Sequence, residues 1–299
     1  MRKIKLAIIP LLSTILLAGC SDGVLNPKGP VSSAQLNLIL FSMGIMLLVI
    51  IPVIIMGITF AIRYREGNEK AEYRPDFTHS NKIELVCWGI PIAIIVVLAI
   101  VTYKTSHSLD PYRPLESDKE QITIEVVSLD WKWFFIYPEQ GIATVNTLTI
   151  PEDTPISFKL TSDAVMNSFW VPDLAGQIYA MAGMTTQLHV MADEPGLYDG
   201  KSTNYSGFGY SGMTFNIEAV EEDKFPAWVE KVKASDNALT IEGYNELRKQ
   251  SRNNPPTLYS AVPDGLFETI ILQYIDPKAE KIFDYNGPDP ETFGKIEGH

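Results

Sequence analysis

Hydrophobic and polar positions along this chain fall into three successive textures. The first third is built of unbroken apolar runs. Residues 6–17 form a short one behind Arg2, Lys3 and Lys5, residues 36–62 run 27 positions without a charge, and residues 85–103 run 19. At about 1.5 Å per residue the second and third runs each reach across a hydrocarbon core of about 30 Å. The pattern predicts a transmembrane hairpin over 36–103, with helices about 36–62 and 83–103 and a loop over 63–82. Pro52 and Pro91 lie inside the two runs, where membrane helices tolerate proline if neighbouring groups satisfy the freed carbonyl. The first run is too short to span, and a basic start followed by such a run reads as a cleaved signal peptide over 1–19.

From about Lys104 the texture becomes one of short β-rich runs separated by turn residues. Runs at 122–127, 133–137, 147–150, 156–161, 185–190 and 213–219 predict strands, and their number and spacing predict an all-β sandwich or barrel over 104–220. After Glu221 the rhythm turns helical at 225–234, 241–250 and 266–274, so 221–299 reads as a C-terminal helical extension and tail.

Charge then orients the chain. The loop at 63–82 carries Arg63, Arg65, Lys70, Arg74 and Lys82, which places it in the cytoplasm and both chain ends outside. The tetrapeptide Leu17-Ala18-Gly19-Cys20 leads to the same topology. It resembles a bacterial lipobox, whose cysteine is acylated and begins the mature chain, with 20–35 as a lipidated N-terminal segment. A signal anchor that merely ends in cysteine is the alternative. The net charge of −12 divides into +3 for residues 1–103 and −15 for 104–299. So acidic an external domain offers no basic patch for phosphates and argues against nucleic acid as a partner.

Donor chemistry is sparse. The cysteines are Cys20 and Cys87, and the histidines are His79, His107, His189 and His299. The β region therefore holds one interior histidine, His189, and no thiol, whereas zinc and copper centres need at least two convergent His or Cys ligands. The expectation is no metal on this chain, with His189 a strand residue. The aromatic run 130–137, read as a strand, puts Trp131, Trp133 and Phe135 on one face and Lys132, Phe134 and Ile136 on the other. Such a run serves a packed core or a protein interface more often than a redox relay. The glycine-rich stretch 205–212 lacks the lysine and helix of a phosphate loop and reads as a tight connection between strands. Glu84, at the cytoplasmic edge of the second span, either snorkels or pairs with Lys82, or marks a proton or ion path.

Taken together, the signal peptide, lipobox, two-helix hairpin and external β domain resemble subunit II of the haem-copper terminal oxidases. The strings Asn26-Pro27-Lys28-Gly29, His79-Ser80-Asn81-Lys82-Ile83-Glu84, ITIEVVSLDWKWFFIYPEQGIATVN over 122–146, Val165-Met166-Asn167-Ser168-Phe169 and QIYAMAGM over 177–184 are similar to the quinol-oxidising branch, the cytochrome bo-type ubiquinol oxidases. The resemblance runs from the lipobox to about Val220 and is weaker beyond. It implies a cupredoxin-like barrel packed over subunit I. In the cytochrome-c-oxidising branch that barrel binds dinuclear copper through a histidine near 166–169 and a later C-x-x-x-C-x-x-x-H-x-x-M loop. Here Asn167 occupies the histidine position, and 205–213 has neither Cys nor His.

The implied role is a non-redox subunit of a proton-pumping respiratory ubiquinol oxidase of the bacterial inner membrane. Haems, copper and quinone belong on subunit I, catalytic residues are absent from this chain, and further small membrane subunits and the lipid bilayer are its other partners. Glu84 matches the family glutamate at the mouth of the lysine-lined proton channel. Trp131 and Trp133 match the aromatic cluster near the copper position and are expected to pack against subunit I. A menaquinol oxidase subunit, a cytochrome c oxidase subunit (disfavoured by the missing copper ligands) and a lipoprotein scaffold or assembly factor are the alternative readings.

Overall fold

The computed structural model describes residues 23–68, 72 and 76–275. It divides into two compact units, one holding residues 34–110 and the other the N-terminal residues through 33 together with the chain from 111 onward. The proposed signal peptide, Cys20 and the tail beyond 275 lie outside the described residues.

The first unit is helical. Helix α1 spans Pro30–Arg63 and α2 spans Asn81–Ser108. Both extend past their uncharged runs, because a helix continues through polar residues at its ends as long as its backbone bonds close. Both present apolar side chains all round rather than on one stripe: Leu48, Ile55, Ile62, Leu85, Trp88 and Ile95 are among many large hydrophobic residues left exposed. A helix apolar on every side is stable only in an apolar surrounding.

The second unit is a two-sheet barrel. Its strands are β1 Ile122–Leu129, β2 Lys132–Tyr137, β3 Ile142–Val145, β4 Thr147–Pro151, β5 Ile156–Ser162, β6 Asn167–Trp170, β7 Ile178–Ala180, β8 Thr186–Val190, β9 Gly196–Ser202, β10 Thr214–Val220 and β11 Thr257–Tyr259. A six-stranded sheet of order β11-β3-β2-β1-β5-β8 faces a five-stranded sheet of order β4-β10-β9-β6-β7. The β1–β5 and β4–β10 pairs are parallel and the other pairs antiparallel. Between the sheets lies the main core, with Ile124, Val126, Trp133, Phe135, Phe158, Leu160, Phe169 and Phe215 at its centre.

The extension after Val220 is more than helical. Helix α3, Phe225–Lys233, feeds Phe225, Val229 and Val232 into the main core. The remaining arm, residues 234–275, carries α4 Ile241–Leu247, strand β11 on the sheet edge, and α5 Leu266–Ile275. Leu239, Tyr244, Leu266, Phe267 and Ile270 from this arm cover Val127, Leu129, Phe134, Ile136, Ala143 and Val145 on the outer face of the six-stranded sheet. That second core explains why β2 is buried at all six positions. Its alternate side chains enter two different cores.

At the other end of the chain's path, residues 23–33 strap onto the barrel. The amide of Gly23 donates to Asp173 Oδ1 at 2.9 Å and Ser32 Oγ donates to the Asp173 carbonyl at 2.6 Å. Gly29 sits so close to the Met191 carbonyl that a Cβ there would overlap it, and the Leu174 carbonyl would be in tight contact.

Candidate functional site

Two places carry the residues singled out by the sequence: one pole of the barrel and the start of α2. At the pole, strands β5, β7 and β9 end and β2, β6, β8 and β10 begin, so the intervening loops meet there. Asn167 opens β6 fully buried. Its Oδ1 accepts from Ser202 Oγ at 3.0 Å and its Nδ2 donates to the Val165 carbonyl at 3.1 Å. The amide is thus held by the protein's own groups.

Trp131 is not the strand residue that alternation predicts. It lies in the turn between β1 and β2 at φ 63°, a left-handed conformation that a bulky residue adopts only when its surroundings enforce it. What enforces it is the glycine-rich loop. The indole Nε1 donates to the Ser206 carbonyl at 3.0 Å, and the ring lies against Gly207 and Gly209, where a Cβ on Gly209 would overlap it. The indole resting on the loop backbone thus requires glycine at 209, while Gly207 takes a positive φ of 107°, a relation that the linear spacing could not reveal.

Trp133 lies deeper than Trp131. It is completely buried in the main core, edge-on to Phe169 at 5.2 Å and beside Phe215 at 5.8 Å. Within this chain the ring packs in its own domain's core. Lys132, on the opposite face of β2, is equally buried. Its Nζ donates to the Lys249 carbonyl at 2.7 Å and to Ser251 Oγ at 2.5 Å, and burial lowers its pKa to about 8 against the pull of Asp130.

The pole does not fit dinuclear copper. Asn167 is committed to hydrogen bonds, Met213 is packed in the apolar core, and the loop from 205 to 213 brings no thiol or imidazole. Among the described residues no group of three or more His, Cys, Asp and Glu side chains converges. His189 lies on β8, paired with Ser157 of β5. It is buried, neither ring nitrogen has a hydrogen-bond partner among the described residues, and desolvation lowers its pKa.

Glu84 lies in the first turn of α2, where the helix dipole favours a carboxylate. Its partner is His79 rather than Lys82: His79 Nδ1 lies 2.7 Å from Glu84 Oε1, and the other ring nitrogen faces the Asn81 side chain. Both members of the pair remain more than half exposed.

The sequence reading missed Asp163. This residue follows β5, is fully buried in its side chain, and gathers Tyr244 of α4 and Arg248 at the C-cap of that helix with Gln273 and Tyr274 of α5. Burial first and the Asp163 charge second hold the Tyr244 phenol well above its ordinary pKa. No local pattern could flag the cluster, because its members lie 81 to 111 positions from Asp163.

Two helices long and apolar enough to cross a membrane, followed by a two-sheet barrel, define a membrane-anchored, cupredoxin-like architecture. The family model described as cytochrome c oxidase subunit II, periplasmic domain, matches residues 138–220, and the one described as COX aromatic rich motif matches 233–278. Among curated relatives, the cytochrome bo(3) ubiquinol oxidase subunit 2 of Pseudomonas putida is 54% identical, with 89% of this chain and 85% of the relative covered. Its counterpart in Pseudomonas aeruginosa is 52% identical over 89% of this chain and 80% of the relative. The ubiquinol oxidase subunit 2 of Acetobacter aceti is 54% identical over 88% and 86%. The chain belongs to the ubiquinol oxidase subunit 2 family. It is thus a subunit of a multi-subunit oxidoreductase of the membrane, with its C-terminal domain of the periplasmic type.

Proposed function

We propose that this chain is the non-redox subunit II of a proton-pumping ubiquinol oxidase, which converts two ubiquinol and one dioxygen to two ubiquinone and two water. The observation that carries the reading is the pairing of high identity to ubiquinol oxidase subunits with a pole whose copper-ligand position is an amide already hydrogen-bonded to Ser202. A barrel without a metal ligand set offers electrons from cytochrome c no entry, so they enter elsewhere. Haems, copper and quinone then reside on subunit I, and the barrel covers its outer face together with further small membrane subunits. Cys20 carries the lipid after removal of 1–19, in the inner membrane of a bacterium.

Glu84 loads protons into the channel from the cytoplasm. Its exposed carboxylate and the His79 imidazole 2.7 Å away form a group that can accept from water and pass inward. Trp131, half-buried at the pole, remains the aromatic candidate for contact with subunit I. The test is purification through a tag on this chain from mildly solubilised membranes. Haem spectra and oxygen uptake are then measured with ubiquinol, menaquinol and reduced cytochrome c in parallel. Haem with uptake driven by ubiquinol alone supports the reading. Uptake with cytochrome c, or an eluate free of haem, refutes it.

A further inference from the structure

The C-terminal arm has no role in the proposed function, yet among the described residues its attachment centres on one heavily bonded carboxylate. Asp163 accepts five hydrogen bonds, every one from the arm: from Tyr244 Oη at 2.7 Å, Arg248 Nε at 3.0 Å, Arg248 Nη2 at 2.8 Å, Gln273 Nε2 at 2.8 Å and Tyr274 Oη at 2.8 Å. The donors come from both arm helices, α4 and α5, so one carboxylate fixes their mutual position. Asp163 is itself held by its amide, which donates to the Ser128 carbonyl at the end of β1.

From that anchor the arm reaches the other loops of the pole. The start of β2 is tied through Lys132 to Lys249 and Ser251. The β9–β10 loop is gripped at two points: Arg252 stacks over the Phe208 ring at 4.3 Å, and Gly212 is so near Asn253 that a Cβ would stand 2.6 Å from its Oδ1. The β7–β8 loop meets the arm at Gly183, which is in the left-handed region and lies against Tyr274 and Ile275. The turn before β4 joins through Asn146 Nδ2 to the Asn254 carbonyl at 3.0 Å.

We propose that the arm is a brace for the barrel pole, and that Asp163 is the keystone on which its docking and the fixed geometry of the pole loops depend. Strand β11 fixes the register of the arm against β3, but the apolar contacts that α4 and α5 make with the sheet are non-directional and leave the two helices free to shift. A buried carboxylate with five donors specifies one arrangement and is costly to leave half-satisfied. This role is independent of which quinol, or which partner subunit, the oxidase uses.

Hydrogen exchange of the purified complex tests it, reading peptides from the arm and, separately, from 203–213. Asp163→Asn keeps the shape but removes the charge on which Arg248 closes. Loss of a buried charge partner is among the larger single effects, so arm exchange should rise by about tenfold or more, and exchange at 203–213 should rise with it. Tyr274→Phe removes one donor and is the milder variant, serving if Asp163→Asn yields no complex; about a fivefold rise in both regions is expected from one lost hydrogen bond. Arm exchange within about twofold of the parent in the variants obtained would overturn the keystone role. A faster arm with an unchanged 203–213 loop would overturn the brace.

Discussion

Replacing Trp133 by alanine separates its two readings. Its indole is fully buried, packs edge-on to Phe169, and sits beside the Phe169–Phe215 pair, which stack at 4.7 Å. Its Nε1 has no hydrogen-bond partner among the described residues, so the loss is one of packing and apolar burial. Truncating a buried tryptophan to alanine costs about 3–5 kcal/mol. That is a large share of the roughly 5–15 kcal/mol by which a domain is stable. For a domain of this size each kcal/mol lowers the midpoint by about 2–4 °C, so the β domain should melt roughly 10 °C lower. Pulse proteolysis of the subunit within the purified complex, over a temperature series, reads this directly. Trp133→Phe should recover part of the loss by refilling the space. A midpoint shifted by less than about 2 °C would refute the core assignment. A normal midpoint with poor assembly would favour the interface role.

Glu84→Ala should slow oxygen uptake with ubiquinol while haem content and subunit recovery stay normal; unchanged turnover in a steady-state assay ends the proton-entrance reading. Gly209→Val places a side chain where the Trp131 indole lies. It should expel the ring, seen as a red-shifted and more quenchable tryptophan emission, and an unaltered spectrum would show that the loop yields instead. Glu125 gives a pH signature. Burial first, and the Glu268 charge second, raise its pKa from 4.5 to about 7. An acid so raised favours folding while protonated, so its contribution is lost as pH climbs from about 4.5 through about 7. Between pH 5 and 7.5 the parent's midpoint should fall relative to Glu125→Gln; parallel curves would show that Glu125 titrates normally.

Much of this protein is legible in the linear order of its residues. A long uncharged run admits few structures, because backbone groups in hydrocarbon must bond within the segment, and α1 and α2 formed where the runs lie. Helices α3, α4 and α5 likewise appear where a 3.6-residue rhythm is visible. The six strands expected from β-rich runs are present, whereas β3, β6, β7, β9 and β11 went unread. Those five are short or carry glycine, serine and asparagine, and they become strands only because neighbours offer a ladder.

Tertiary structure alone decided the rest. Trp131 and Trp133 are two residues apart and chemically alike. One is forced into a left-handed turn by a glycine loop 75 residues downstream, and the other vanishes into the core. Alternation assigned them one face, since it assumes that the strand begins before both. Asp163 is an ordinary acidic residue in the sequence and becomes a keystone through donors more than 80 positions away. Local periodicity reports which side chains share a face. What covers that face is set by long-range closure of the chain, and on β2 it was the arm that made the face of Phe134 and Ile136 a second core.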